Sequence, residues 1–278
     1  MLLRMRDIEI DTSDRTAIMG ILNVSDDSPI AFSRVNKERA VERALILVQE
    51  GADIIDVGAH STATGARDIS HEEEGERVSL VIRSLAARGI ATSVDTWTHS
   101  VAQQAAESGV HLINDVTGGQ DSAMRQVSTL HGIPACLMHM RGAPKHHRSV
   151  NQQYENIQQE VMLFLSKARD TFVNETGQEC WLDPGFGFAK SPEDNLKLLK
   201  GITELSSLNR PILISASRKG FLSELMNQGD RQDTEGLLSA SLAFNAIAVQ
   251  NGANIIRVHD VAATRAMLAI VDKARTKN

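Results

Sequence analysis

The chain has 278 residues, 42% of them hydrophobic and 23% charged. That is enough apolar content to bury a full core and excludes a disordered chain. A formal charge of −6 excludes nonspecific nucleic-acid binding, which needs a basic surface; an anionic small substrate would require basic residues gathered in one cleft. The N-terminal MLLRMRDIEIDTSDR has no apolar signal core, and no later run reaches the length of a membrane span. The expectation is a cytoplasmic protein with no membrane partner.

Along the chain, short apolar runs alternate eight times with longer amphipathic ones. The first run, AIMGILN (17–23), ends on Asn23 and opens into the acidic stretch SDDSP. Taken alone, an amide and two carboxylates at a strand end read as a turn or a helix cap. The helical pattern KERAVERALILVQEG (37–51) follows, with Ala40, Ala44, Leu47 and Val48 in one stripe and Gly51 as a stop. The later runs are DIIDVGA (53–59), ATSVDT (91–96), HLINDV (111–116), PACLMHM (134–140), CWLDPG (180–185), PILISAS (211–217) and NIIRVHD (254–260). Helical patterns begin between them near Glu72, His99, Asp121, Asn151, Pro192, Glu235 and Val261.

Short, near-continuous apolar runs suit parallel strands buried on both faces. Strand–helix alternation allows either an open doubly wound sheet or a closed barrel, and a count of eight favours a single-domain (β/α)8 TIM barrel over residues 1–278. No GxGxxG follows the first strand, which weakens the dinucleotide-binding alternative. Cys136 and Cys180 each sit inside an apolar run and read as buried, reduced thiols.

In such a barrel the active site lies at the C-terminal strand ends. Those ends hold Asn23, Asp56, Asp95, Asn114 with Asp115, His139, Asp183, Ser217 to Lys219, and Arg257 with His259. One such residue usually caps the next helix. A polar group at the end of every strand is harder to dismiss, because each buried group without a partner costs about 1–3 kcal/mol. Asp95, Asn114 and Asp183 offer acceptors and a donor for a heterocycle's edge. Ser217, Lys219, Arg257 and His259 offer donors and positive charge for an anion. A metal-dependent hydrolase is a competing barrel reading, but its H-x-H is absent where Asn23-Val24-Ser25 stands. The neighbouring His146 and His147 read as part of a solvated loop.

The segments MGILNV, IDVGAHST, SVDT, INDV, LMHMRGAP, LDPGFGFAK, SASRKGFL and IRVHDV resemble, in order and spacing, the dihydropteroate synthase family. The resemblance runs from about Ala17 to Ile270. It implies an enzyme that joins 6-hydroxymethyl-7,8-dihydropterin diphosphate to p-aminobenzoate and releases pyrophosphate. It also implies that Asp95, Asn114 and Asp183 bond the pterin edge, Lys219 meets its carbonyl side, and Met138 and Arg257 lie on the ring faces. Asn23, Arg257 and His259 would hold the diphosphate, with Mg²⁺ near Asn23. Thr62 would belong to the substrate loops, and Phe188 and Ser217 would shape the p-aminobenzoate site. Asp95, Lys219, Arg257 and His259 are the implied catalytic residues. A homodimer is implied too, through the last helices, where ASLAFNAIAVQNGA (240–253) offers an apolar face that would serve equally for packing on the barrel alone.

Two loops depart from the family pattern. N-V-T-P-D-S-F-S-D-G-G is replaced by Asn23-Val24-Ser25-Asp26-Asp27-Ser28-Pro29-Ile30-Ala31-Phe32-Ser33, so Pro29 stands where the family has an aromatic residue. G-G-E-S-T-R-P-G-A is replaced by Gly58-Ala59-His60-Ser61-Thr62-Ala63-Thr64-Gly65-Ala66, with His60 for glutamate, Ala63 for arginine and Thr64 for proline. Two readings follow. One is a working synthase with atypical loops and reduced sulfonamide binding, since those drugs mimic p-aminobenzoate. The other is a pterin-binding paralogue whose second-substrate activity is lost or altered.

Overall fold

The computed structural model describes residues 1–24, 37–60, 69–147, 149–226 and 234–275. A short antiparallel hairpin, β1 (Leu2–Arg4) and β2 (Glu9–Asp11), comes first. Eight parallel strands follow: β3 (Ala17–Asn23), β4 (Ile54–Gly58), β5 (Thr92–Asp95), β6 (Leu112–Asp115), β7 (Ala135–Met138), β8 (Cys180–Asp183), β9 (Leu213–Ile214) and β10 (Ile255–Val258). Each falls inside one of the eight apolar runs. The strands pair in the order β8-β7-β6-β5-β4-β3-β10-β9, and a parallel bridge from Leu182 to Ile212 closes the ring. The barrel expectation is thus met.

The helices between them are α1 (Lys37–Gln49), α2 (His71–Ala86), α3 (His99–Glu107), α4 (Ser122–His131), α5 (Ile157–Thr176), α6 (Pro192–Lys200), the short α7 (Ile202–Leu205) and α8 (Gly220–Leu225), then α9 (Thr234–Gln250) and α10 (Val261–Ala274). Their ends follow local chemistry. Ser70 caps α2 by accepting from Glu73 N, with Glu72, Glu73 and Glu74 in the first turn, where the helix dipole favours carboxylates. Ser191 caps α6 ahead of Pro192, and α4 ends on Gly132 in the left-handed region. One expected start is displaced: α5 begins at Ile157, not near Asn151, because Asn156 caps it by accepting from Gln159 N. Among the described residues no helix is long and apolar enough to cross a membrane.

Strand alternation decides which residues enter the barrel. In β4, Ile55 and Val57 pack under the helices, as do Ile113 in β6, Leu137 in β7 and Ile256 in β10. Their alternates point inward. Met19, Ile54, Leu112, Cys136, Trp181, Leu213 and Ile255 fill the lower barrel, and Leu3 and Met5 of the hairpin close it from below. The hairpin was not evident in the sequence because its strands have three residues each, too short for a periodic signal. Continuing the same alternation upward places Asp56, Asn114, Asp183 and Arg257 inside the barrel above the apolar floor. Both cysteines are buried and free, as expected.

Candidate active site

Asp56 is the centre of a buried polar layer. It is fully buried and accepts bonds from Ser93 Oγ, from Asn114 Nδ2 at 3.1 Å and from Arg257 Nε at 2.6 Å. Arg257 turns its other edge to Asp95, with Nη2 2.5 Å from Oδ2, and lies 3.4 Å from Ser215 Oγ through Nη1. Burial opposes the guanidinium charge, but Asp56 and Asp95 outweigh it and hold Arg257 protonated. Arg257 is therefore fixed in plane by two carboxylates before any ligand arrives.

Asp95 has a second oxygen to offer. Its Oδ1 is buried and has no hydrogen-bond partner among the described residues. Burial pushes this carboxyl up to about 6; Arg257 pulls it down, while Asp56 and Glu74 push it up. An acceptor left bare in a desolvated site costs about 1–3 kcal/mol, so the arrangement suits a ligand that brings an N–H to this point.

Opposite lies the turn after β8. Asp183 Oδ1 accepts from Gly185 N at 2.7 Å, and burial raises the carboxyl, with Lys219 opposing the rise. Gly185 has φ 72°, and a Cβ there would collide with the His139 carbonyl, so the tight turn requires glycine. Lys219 Nζ donates to Phe186 O at 2.7 Å and sits 3.9 Å above the Phe188 ring. Burial pushes Lys219 down to about 7, against the pull of Asp183.

The preceding Arg218 does not enter the pocket. It has φ 55°, its N–H bonds Ser241 Oγ, and its guanidinium grips Asp260 at 2.7 and 2.8 Å. Ser217 Oγ lies 3.0 Å from His259 Nδ1 and accepts from His259 N at 3.2 Å. Burial, with Arg257, Arg218 and Lys219 nearby, pushes His259 down to about 3. Its ring is therefore neutral before any anion arrives.

Met138 packs with Val116, Met140, Trp97 and Phe188 in a small apolar patch at the mouth. Asn23 is half-buried at the end of β3, paired in register with Gly58. The residues brought together are thus Asp95, Asn114, Met138, Asp183, Phe188, Ser217, Lys219, Arg257 and His259, with Asn23 at the rim. Thr62 lies outside the described residues, as do Pro29, Ala63 and Thr64.

Two expectations need correction. Asp115 does not face the pocket; it accepts from Thr117 N, Thr117 Oγ1 and Gly119 N and ties its own loop. The 146–147 loop is only half solvated: His146 is exposed, but His147 is buried with its ring 5.0 Å from that of Phe188. His139 is fully buried, its ring edge-on to Phe164. The sequence reading also missed Ser93 and Ser215, gave Lys190 no role beyond its place in LDPGFGFAK, and noted Asp56 only as a strand-end residue. Counting by twos from the apolar Ile54 would have turned Asp56 inward. His60, the replaced glutamate, lies with Nδ1 3.3 Å from Oε2 of the buried Glu74, whose Oε1 accepts from Thr96 Oγ1 at 2.7 Å.

The pterin binding enzyme family profile matches residues 19–259. The dihydropteroate synthase of Escherichia coli strain K12 is 37% identical over 262 residues, covering 92% of this chain and 90% of that protein. A Yersinia pestis dihydropteroate synthase in a sulfonamide drug complex superposes with a TM-score of 0.91 at 36% identity, over 100% of both chains. The Thermus thermophilus enzyme in complex with 4-aminobenzoate gives 0.87 at 35% identity, covering 98% of this chain and 99% of that one. With its barrel, its inward polar layer and these matches, the chain belongs to the dihydropteroate synthase family of pterin-binding enzymes.

Proposed function

We infer that this chain is a transferase of folate synthesis that condenses 6-hydroxymethyl-7,8-dihydropterin diphosphate with p-aminobenzoate to give 7,8-dihydropteroate and pyrophosphate. The observation that carries the reading is the buried Asp95 Oδ1, which has no hydrogen-bond partner among the described residues, beside Asn114 and across from Asp183. Together they can engage the alternating N–H and ring nitrogens of a pterin edge, with Lys219 at its carbonyl. The flat guanidinium of Arg257 and the thioether of Met138 supply polarizable surfaces for the ring faces.

The reaction breaks the bond between the pterin methylene and the diphosphate oxygen. The electron pair leaves with pyrophosphate, and positive charge develops on the methylene. Arg257 and His259 receive the leaving group, and the Asp95 carboxylate stabilises the cation from its fixed position. The aniline nitrogen then forms the new C–N bond and loses a proton. Phe188 and Ser217 bound the space from which it approaches.

Mg²⁺ is part of this reading. Among the described residues no group of three or more His, Cys, Asp or Glu could hold a metal ion, whereas Asn23 offers a single neutral oxygen donor. That donor set fits an ion held mainly by diphosphate oxygens and water, as Mg²⁺ prefers. When bound, the ion would neutralise the leaving diphosphate.

The reading includes a homodimer. Its support is that Ile247 of α9 and Ile270 of α10 are 45% and 71% exposed, while Phe244, Val249 and Leu268 of the same helices pack inward. It also includes cytoplasmic action, consistent with two free thiols, and weaker sulfonamide binding than in relatives with the usual loops. Complementation tests the function: expression should restore folate-independent growth to a strain lacking its synthase. Failure of a well-expressed, folded protein would refute it.

A further inference from the structure

Lys190 belongs to neither substrate's contact set, yet the residue is only 5% exposed and its ammonium is surrounded by acceptors. Its Nζ lies 2.9 Å from Gly185 O, 3.1 Å from Phe188 O, 3.3 Å from His139 O and 2.9 Å from His139 Nδ1. An ammonium has three protons, so these four acceptors saturate it and leave none for a ligand. The need for the charge is also visible. The turn at Gly185 presses so closely on the His139 carbonyl that no Cβ would fit, and three carbonyl oxygens converge there. A cation between them removes their mutual repulsion.

The same turn carries the site. Gly185 N holds Asp183 Oδ1, Phe186 O holds Lys219 Nζ, and the Phe188 ring lies under that ammonium. Asn195 fixes the turn from its other side, accepting from Gly187 N and donating to Lys190 O. We propose that Lys190 is a positioning residue for the pterin site: it clamps the Gly185–Phe188 turn beneath Asp183, Phe188 and Lys219, and its ammonium acts on Asp183 as a nearby positive charge. The inference rests on the reading above that Asp183 and Lys219 take the pterin.

The electrostatics agree with the geometry. Asp183 is faced by Lys219, Lys190 and Arg257, and by the thiol of Cys136. Burial raises its carboxyl, and the three cations oppose the rise. Lys190 is faced by Asp183, Lys219, Glu160, Arg141 and His139. Burial brings it down to about 7, with Asp183 holding it up. His139 is held neutral, pushed to about 2 by burial and by Lys190 and Arg141, and in the tautomer protonated at Nε2 its Nδ1 accepts from the ammonium. Removing the charge of Lys190 should let Asp183 keep its proton to higher pH.

The test is calorimetric titration of the purified full chain with a pterin from pH 5.5 to 8.5. Four proteins are compared: wild type, Lys190→Met, Lys190→Arg and Tyr154→Phe. The last removes the hydroxyl that donates to Ala189 O at 2.8 Å, loosening the same turn without changing its charge. The expected result is an acid limb displaced to higher pH in Lys190→Met, with affinity at pH 6 falling about tenfold below that at pH 8. Lys190→Arg and Tyr154→Phe should keep the wild-type limb. Lys190→Gln, which keeps donors without the charge, replaces Lys190→Met if that variant does not fold. A Met or Gln profile parallel to wild type overturns the proposal, as does an Arg profile displaced like theirs. A wild type that binds no pterin would instead overturn the reading of the site itself.

Discussion

Arg257 and Asp56 form a buried pair in which a fully enclosed carboxylate accepts the Nε–H of a guanidinium at 2.6 Å. The two residues are on β10 and β4, separated by 201 positions in sequence. The pair sets the plane of the arginine, and Asp95 on β5 holds the free edge of that plane.

Removing one member of such a pair strands the other. Arg257→Met should destabilise the fold by about 3–5 kcal/mol, because the Asp56 charge is left buried. The unfolding midpoint in urea reads this directly. Turnover should fall with it, and an Arg257→Met variant of wild-type stability would contradict the pairing.

Asp95 makes the activity pH-dependent. Its carboxyl is raised to about 6, so kcat/KM should fall as the pH drops through about 6, when the carboxylate is lost. Asp95→Asn should abolish most turnover and remove this limb from what remains. The stability effect has the opposite sense. Between 3.8 and about 6 the folded protein holds a proton that the unfolded chain has released, so this group's contribution to stability falls as pH rises through that window. A titration of stability that loses this slope in Asp95→Asn confirms the assignment; an unchanged slope contradicts it.

Asp183 and Lys219 grip opposite sides of one turn. Asp183→Ala or Lys219→Ala should each largely abolish pterin binding, as measured by calorimetric titration. Unchanged affinity in both variants would rule out this placement of the ring.

Much of this architecture can be read from the sequence, for identifiable reasons. The eight strands announce themselves as apolar runs because parallel strands are buried on both faces. The pocket residues sit where those runs turn polar, so Asp95, Asn114, Asp183 and Arg257 could be named from position alone. What sequence does not show is direction. Asn114 and Asp115 are neighbours, yet one faces the pocket and the other ties a loop, a distinction set by strand alternation. The role of Lys190, the last residue of LDPGFGFAK, is also invisible in the sequence, because its four acceptors are mostly backbone oxygens contributed by two loops that meet only in the fold.

The altered second loop yields a gain-of-function expectation. Where the resemblance implies an arginine this chain has Ala63, and charge-assisted bonds to a diphosphate contribute roughly 1.5–3 kcal/mol. Ala63→Arg should therefore raise kcat/KM by about one to two orders of magnitude. Steady-state kinetics with the pterin diphosphate varied would show it. An unchanged value would mean that another group already supplies the charge.

The most direct measurement is a coupled assay of pyrophosphate release from 6-hydroxymethyl-7,8-dihydropterin diphosphate in the presence and absence of p-aminobenzoate. The predicted result is release that depends on both substrates and matches the dihydropteroate formed. Tight pterin binding with no release of pyrophosphate on adding p-aminobenzoate would contradict it.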